Sequence, residues 1–159
     1  MRASAQRVQA FRHIVKVRDH RMGVDEPGDK GGDDTGPSPQ ELLAASLASC
    51  TAVTMEMYAD RKGWDIGELE VVCEYTPAER GCPTRFSLVL RFPPGLSDDQ
   101  VAKLKIIAAK CPVHRTLDGE VMFDERVERL TVIAAKCPIH RTLEGEVVFD
   151  ERIQRVAPV

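Results

Sequence analysis

The chain has 159 residues, 43% of them hydrophobic, and its 22 lysines and arginines face 25 aspartates and glutamates for a net charge of −3. That length suits one domain able to bury a core without help from disulfides or metals. Acids and bases are interspersed, which excludes the cationic footprint of a nucleic-acid binder and the basic stripe of a membrane-surface protein and leaves small or neutral partners.

The opening stretch, MRASAQRVQAFRHIVKV, is basic but lacks the roughly 7–15-residue apolar core of an export signal. No window approaches about 18 uninterrupted apolar residues. The expectation is a cytoplasmic protein without membrane partners. Five cysteines, Cys50, Cys73, Cys82, Cys111 and Cys137, make an odd number in such a chain. Reduced thiols are therefore expected rather than a disulfide framework.

Residues 8–26 alternate loosely and predict two antiparallel strands joined at the polar turn Arg18-Asp19-His20-Arg21. DEPGDKGGDDTGP, residues 25–37, reads as a solvated loop; its acids lack the spacing of a calcium loop. A long helix then opens at Ser38, with Pro39 at its first position and Glu41 completing a Ser-x-x-Glu capping box, and ends at Gly63. Leu43, Leu47, Cys50, Thr54 and Met57 fall on one stripe, which aims the Cys50 thiol into apolar packing. The helix is apolar on much of its girth and needs covering by sheets or by a partner subunit.

Residues 67–76 and 84–92 predict two strands linked by the turn-rich PAERGCP. Ser97-x-x-Gln100 caps a second helix running to about Lys110. Cys111-Pro112 interrupts it, and Pro112 starts a fresh turn with Cys111 as N-cap. A strand over 120–130 follows. The element order makes an α+β domain.

From Ile107 the chain almost repeats itself. Ile107–Leu130 and Ile133–Val156 share 18 of 24 residues at an offset of 26. Two copies are too few for a solenoid, so we read 1–130 as the domain and 131–159 as a partial tandem duplicate of 105–133. Removing one copy leaves 133 residues.

Several side chains could carry chemistry. Read alone, Cys50 is a packing thiol, Glu41 a cap, Arg18 a solvated turn charge, and Cys73 and Cys82 incidental. Cys111 stands out, because a cysteine at a helix N-terminus with His114 three residues on is in a setting that favours thiolate. Cys111-x-x-His114 and Cys137-x-x-His140 also have the form of zinc-ligand pairs, although duplication alone would create the second.

GPSPQELLAASLASCTAVTMEMYADRKGW (Gly36–Trp64) together with CPVHRTLDGEV (Cys111–Val121) closely resembles the OsmC/Ohr family of osmotically induced and organic-hydroperoxide-resistance proteins, over about residues 12–130. The resemblance implies antiparallel sheets wrapping a long central helix in an intertwined homodimer. It also implies a two-cysteine peroxidase for organic hydroperoxides, needing no cofactor or metal but an external dithiol reductant. Cys50 would be the attacking thiol and Cys111 the resolving one, with Arg18 and Glu41 in support. Cys137 is the alternative resolving cysteine, although the capped helix before Cys111 gives the first copy the firmer footing. The family's hydroperoxide branch has a glutamate directly after the proline, where this chain has Gln40 and then Glu41. That departure sustains a rival expectation, a non-catalytic stress or small-molecule-binding protein on the same fold.

Overall fold

Val24 leads the chain out of a three-stranded antiparallel sheet ordered β1-β2-β3: β1 is Ala3–Gln9, β2 Arg12–Val17 and β3 His20–Val24. The computed structural model describes residues 1–80, 82–119 and 122. Two compact units form, Met1–Ser46 and the chain from Leu47 onward. The sequence pattern foresaw β2, β3 and the Arg18 turn but not β1, whose seven residues are all exposed and carry no apolar alternation for a core to impose. Arg18 takes a left-handed backbone, φ 53°, between the paired Val17 and His20.

The acid-rich loop is more than a solvated connection. Asp25 is 1% exposed, and its carboxylate accepts hydrogen bonds from the backbone N–H of Glu26 (2.9 Å), Asp33 (3.2 Å) and Thr35 (3.2 Å) and from Thr35 Oγ1 (2.8 Å). Gly32 passes so close to the Glu26 carbonyl that a β carbon there would collide with it. One carboxylate thus ties both ends of the loop together. Burial pushes the Asp25 carboxyl up, but its four donors outweigh that and hold it below the ordinary 3.8.

A carboxyl held below its ordinary value contributes stability above that value and loses it as pH falls through the depressed one. Asp25→Asn, which turns an amide N–H toward other N–H groups, is expected to lower Tm at pH 7 by more than about 4 °C. The gap to wild type should narrow on acidification below pH 3.8, because the wild-type carboxyl then protonates too. A thermal melt series over pH checks both; an unchanged Tm at pH 7 would show that the loop does not depend on Asp25.

Helix α1, Pro39–Lys62, begins as expected: Ser38 N–H donates to Glu41 Oε2 (2.6 Å) and Glu41 N–H to Ser38 Oγ (3.3 Å). Its end is a Schellman motif, with Gly63 at φ 65° and bonds from Gly63 N to Asp60 O and from Trp64 N to Ala59 O. The buried stripe differs from the expected one. Leu47, Thr51, Met55 and Ala59 are buried, whereas Cys50 is only half-buried and Met57 is 53% exposed. A helix apolar nearly all round offers several stripes of similar hydrophobicity, and the partners that pack against it choose.

The second unit adds the hairpin β4 (Glu70–Thr76) and β5 (Arg85–Arg91), then α2 (Asp98–Ala108) and the single-turn α3 (Pro112–Leu117). Its core is Met55, Ala59, Ile66, Leu104 and Ala108, flanked by Tyr58, Trp64, Leu90 and Phe92. On β5 every second residue, Phe86, Leu88 and Leu90, turns inward yet stays only half-covered. The expected strand over 120–130 and the duplicate 131–159, with Cys137 and His140, lie outside the described residues, apart from Met122.

Candidate functional site

Cys111 is built into the break between α2 and α3. Ser97 and Gln100 close the capping box that starts α2, and Lys110 N–H bonds Ile107 O as the helix ends. Pro112 forces the residue before it out of helical geometry, and Cys111 duly has φ −63° and ψ 145°. In that conformation its sulfur folds over the first turn of α3 and accepts the backbone N–H of His114 at 3.2 Å. A second donor comes from α1: Thr51 Oγ1 lies 3.5 Å from the same sulfur. Cys111 is 0% exposed.

Cys50 immediately precedes Thr51, so the helical turn that carries the proposed attacking thiol is the turn that touches Cys111. The structure therefore brings the two segments together through the neighbouring threonine. Nothing in the sequence singles out Thr51, because the same helix also carries the hydroxyls of Ser46, Ser49 and Thr54. Thr54 bonds back from Oγ1 to the Cys50 carbonyl at 2.7 Å. His114 acts on Cys111 through its backbone N–H, where the sequence had suggested its ring.

Two grooves flank α3. The smaller, about 210 Å³, is lined by Leu47, Phe86, Leu88, His114, Leu117 and Asp118. Of these, Leu47 lies on α1 three residues, close to one turn, before Cys50. The larger, about 490 Å³, runs between β5 and α2, with Leu88, Leu90, Phe92, Val101, Lys105 and His114 among its walls. Phe86 and Leu88 make the smaller groove suited to an apolar ligand, and His114 belongs to both.

Arg18 and Glu41 lie in the first unit. The Glu41 carboxyl is held below its usual range chiefly by the Ser38 N–H, then by the Ser38 hydroxyl and by the charge of Lys30. Its capping role is thus visible in full. Gln40, in the place of the family acid, accepts from Lys30 Nζ at 3.4 Å. Arg18 is exposed at its turn. Cys73, half-buried on β4, has its thiol pushed up by burial, in keeping with a packing role, and Cys82 is exposed in the hairpin turn. Among the described residues no three His, Cys, Asp or Glu side chains cluster as metal ligands do.

A family model for OsmC-like proteins matches residues 31–126. The chain belongs to the OsmC-like family. An uncharacterized protein from Haloferax volcanii is 29% identical over 94 residues, 58% of this chain and 71% of that one. Crystal structures share the OsmC-like fold. An OsmC like protein from Mycoplasma pneumoniae superposes with a TM-score of 0.64 at 14% identity, covering 96% of this chain and 94% of the other. An organic hydroperoxide resistance protein OsmC from Legionella pneumophila gives 0.59 at 17% identity, with 95% of each chain covered. An organic hydroperoxide resistance protein from Elizabethkingia anophelis, bound to thiocyanate, gives 0.58 at 17%, covering 95% of this chain and 94% of that one. The OsmC-like α+β architecture, with antiparallel sheets and a long central helix, is thereby established for this chain. By length and composition α1 could also cross a membrane, a property that core helices share.

Proposed function

We propose that this OsmC-like protein is a thiol peroxidase for organic hydroperoxides, with Cys50 attacking and Cys111 resolving. The observation that carries the reading is the Thr51–Cys111 contact, which sets a sealed thiol beside the helical turn of a half-open one. Peroxide reaches the more accessible sulfur first. The Cys50 thiolate takes the terminal peroxide oxygen, the O–O bond breaks, and the departing alkoxide picks up a proton to leave as alcohol. The Cys50 sulfenic acid then condenses with the Cys111 thiol, forming a disulfide and releasing water. A dithiol such as dithiothreitol restores both thiols and is itself oxidised to a disulfide.

The resemblance gives supporting roles to Arg18 and to Glu41, which lies on α1 nine residues, two and a half helical turns, before Cys50. The duplicated Cys137 is the alternative resolving thiol. The reading includes a cytoplasmic homodimer: Val53 and Met57 stand 50% and 53% exposed on the apolar α1, a face that a second subunit would cover. Gln40 in place of the family acid favours one other reading, a non-catalytic stress or small-molecule-binding protein. Purified protein with cumene hydroperoxide and dithiothreitol decides between them: catalytic consumption is expected, and none would leave the binding protein.

A further inference from the structure

His114 contributes a second feature that the cysteine chemistry does not use. Its Nδ1 is buried and has no hydrogen-bond partner among the described residues, while its ring lines both grooves beside α3. Of the two neutral tautomers, the one protonated on Nε2 avoids burying an N–H that has no acceptor. The ring's proton therefore belongs on Nε2. With Nδ1 sealed, Nε2 is the nitrogen left to meet a ligand, and it meets one as a donor only.

We infer that His114 is a substrate-orienting residue, its Nε2–H donating a hydrogen bond to an oxygen of an apolar hydroperoxide held in the groove of Leu47, Phe86 and Leu88. Apolar walls hold the organic part of the ligand without fixing how it is turned. One donor among them selects the pose in which the oxygens face α3 and the Cys50 turn, one step along α1 from Leu47. The same bond serves the product alcohol, whose oxygen keeps its lone pairs. The inference rests on the peroxidase reading, although alcohol binding can be observed without turnover.

The experiment uses the full chain labelled with ¹⁵N-histidine, with the His114 signal identified by its loss in His114→Gln. Long-range ¹H–¹⁵N spectra should show the Nε2–H tautomer, and its Nε2 resonance should move when cumyl alcohol is added. In turnover assays His114→Leu should raise KM for cumene hydroperoxide about three- to tenfold, with kcat changed less. His114→Gln, whose amide nitrogen reaches the place of Nε2, should restore KM; His114→Asn, whose amide lies nearer Nδ1, should not. Hydrogen peroxide, without an organic part to position, should show less than about a twofold change. An Nδ1–H tautomer, no response to cumyl alcohol, or rescue by asparagine overturns the inference. A protein that consumes no peroxide yet shows the tautomer and the alcohol response retains His114 as the donor and loses only the peroxidase reading.

Discussion

Cys50→Ser should abolish reduction of cumene hydroperoxide, by at least about 1,000-fold, because a serine hydroxyl in its place cannot take oxygen from a peroxide and Cys111, the other described thiol there, is sealed. Cys111→Ser should behave differently. Cys111 is fully buried between Thr51 Oγ1 and His114 N–H, and a serine there can keep both contacts, so the fold should persist. The first oxidation would still occur, leaving a sulfenic acid on Cys50 that dimedone traps. Steady turnover would then cease after about one equivalent per chain, unless Cys137 takes over. Mass spectrometry of peroxide-treated wild type reads the same chemistry directly, as a Cys50–Cys111 crosslinked peptide. Peroxide consumption that survives Cys50→Ser sinks the mechanism, as does a crosslink that omits Cys50.

Leu104→Ala should be the most damaging change in the core. Leu104 is 0% exposed, packed with Met55, Ala59, Ile66 and Ala108, and its loss removes buried methyl groups while leaving a cavity among them. Such truncations cost about 2–5 kcal/mol. Near 3 kcal/mol, that is a drop in Tm of roughly 10 °C for a chain this long. The consequence reaches the site, because α2 runs through Leu104 and Ala108 into the turn that holds Cys111, where Cys111 N–H bonds Ala108 O. Looser packing there should slow disulfide formation between Cys50 and Cys111 more than it slows the first oxidation. Calorimetry and single-turnover kinetics measure the two effects, and a Tm shift under about 2 °C would show that the site collapses around the gap.

Local rules made much of this protein readable from its residues. The two capping boxes at Ser38 and Ser97, the Gly63 terminator, the alternating strand pair and the cysteine that caps the helix begun by Pro112 each depend on neighbours a few positions away. Short-range steric and hydrogen-bonding preferences suffice there, and the family motifs sit on those same elements. Which stripe of α1 is buried could not be read, since 47, 51, 55, 59 and 43, 47, 50, 54, 57 are both apolar enough. Only the strands and helices packed against it could break that tie. The same holds for Asp25, whose four donors come from residues up to ten positions away, for Thr51, which meets Cys111 across 60 residues, and for the orphaned nitrogen of His114. Local patterns thus determined most of the elements and marked Cys111, while Cys50 entered through the family resemblance. Tertiary structure alone decided which atoms face each other, because a hydrogen bond or a buried contact between distant residues exists only once the chain has brought them within a few ångströms.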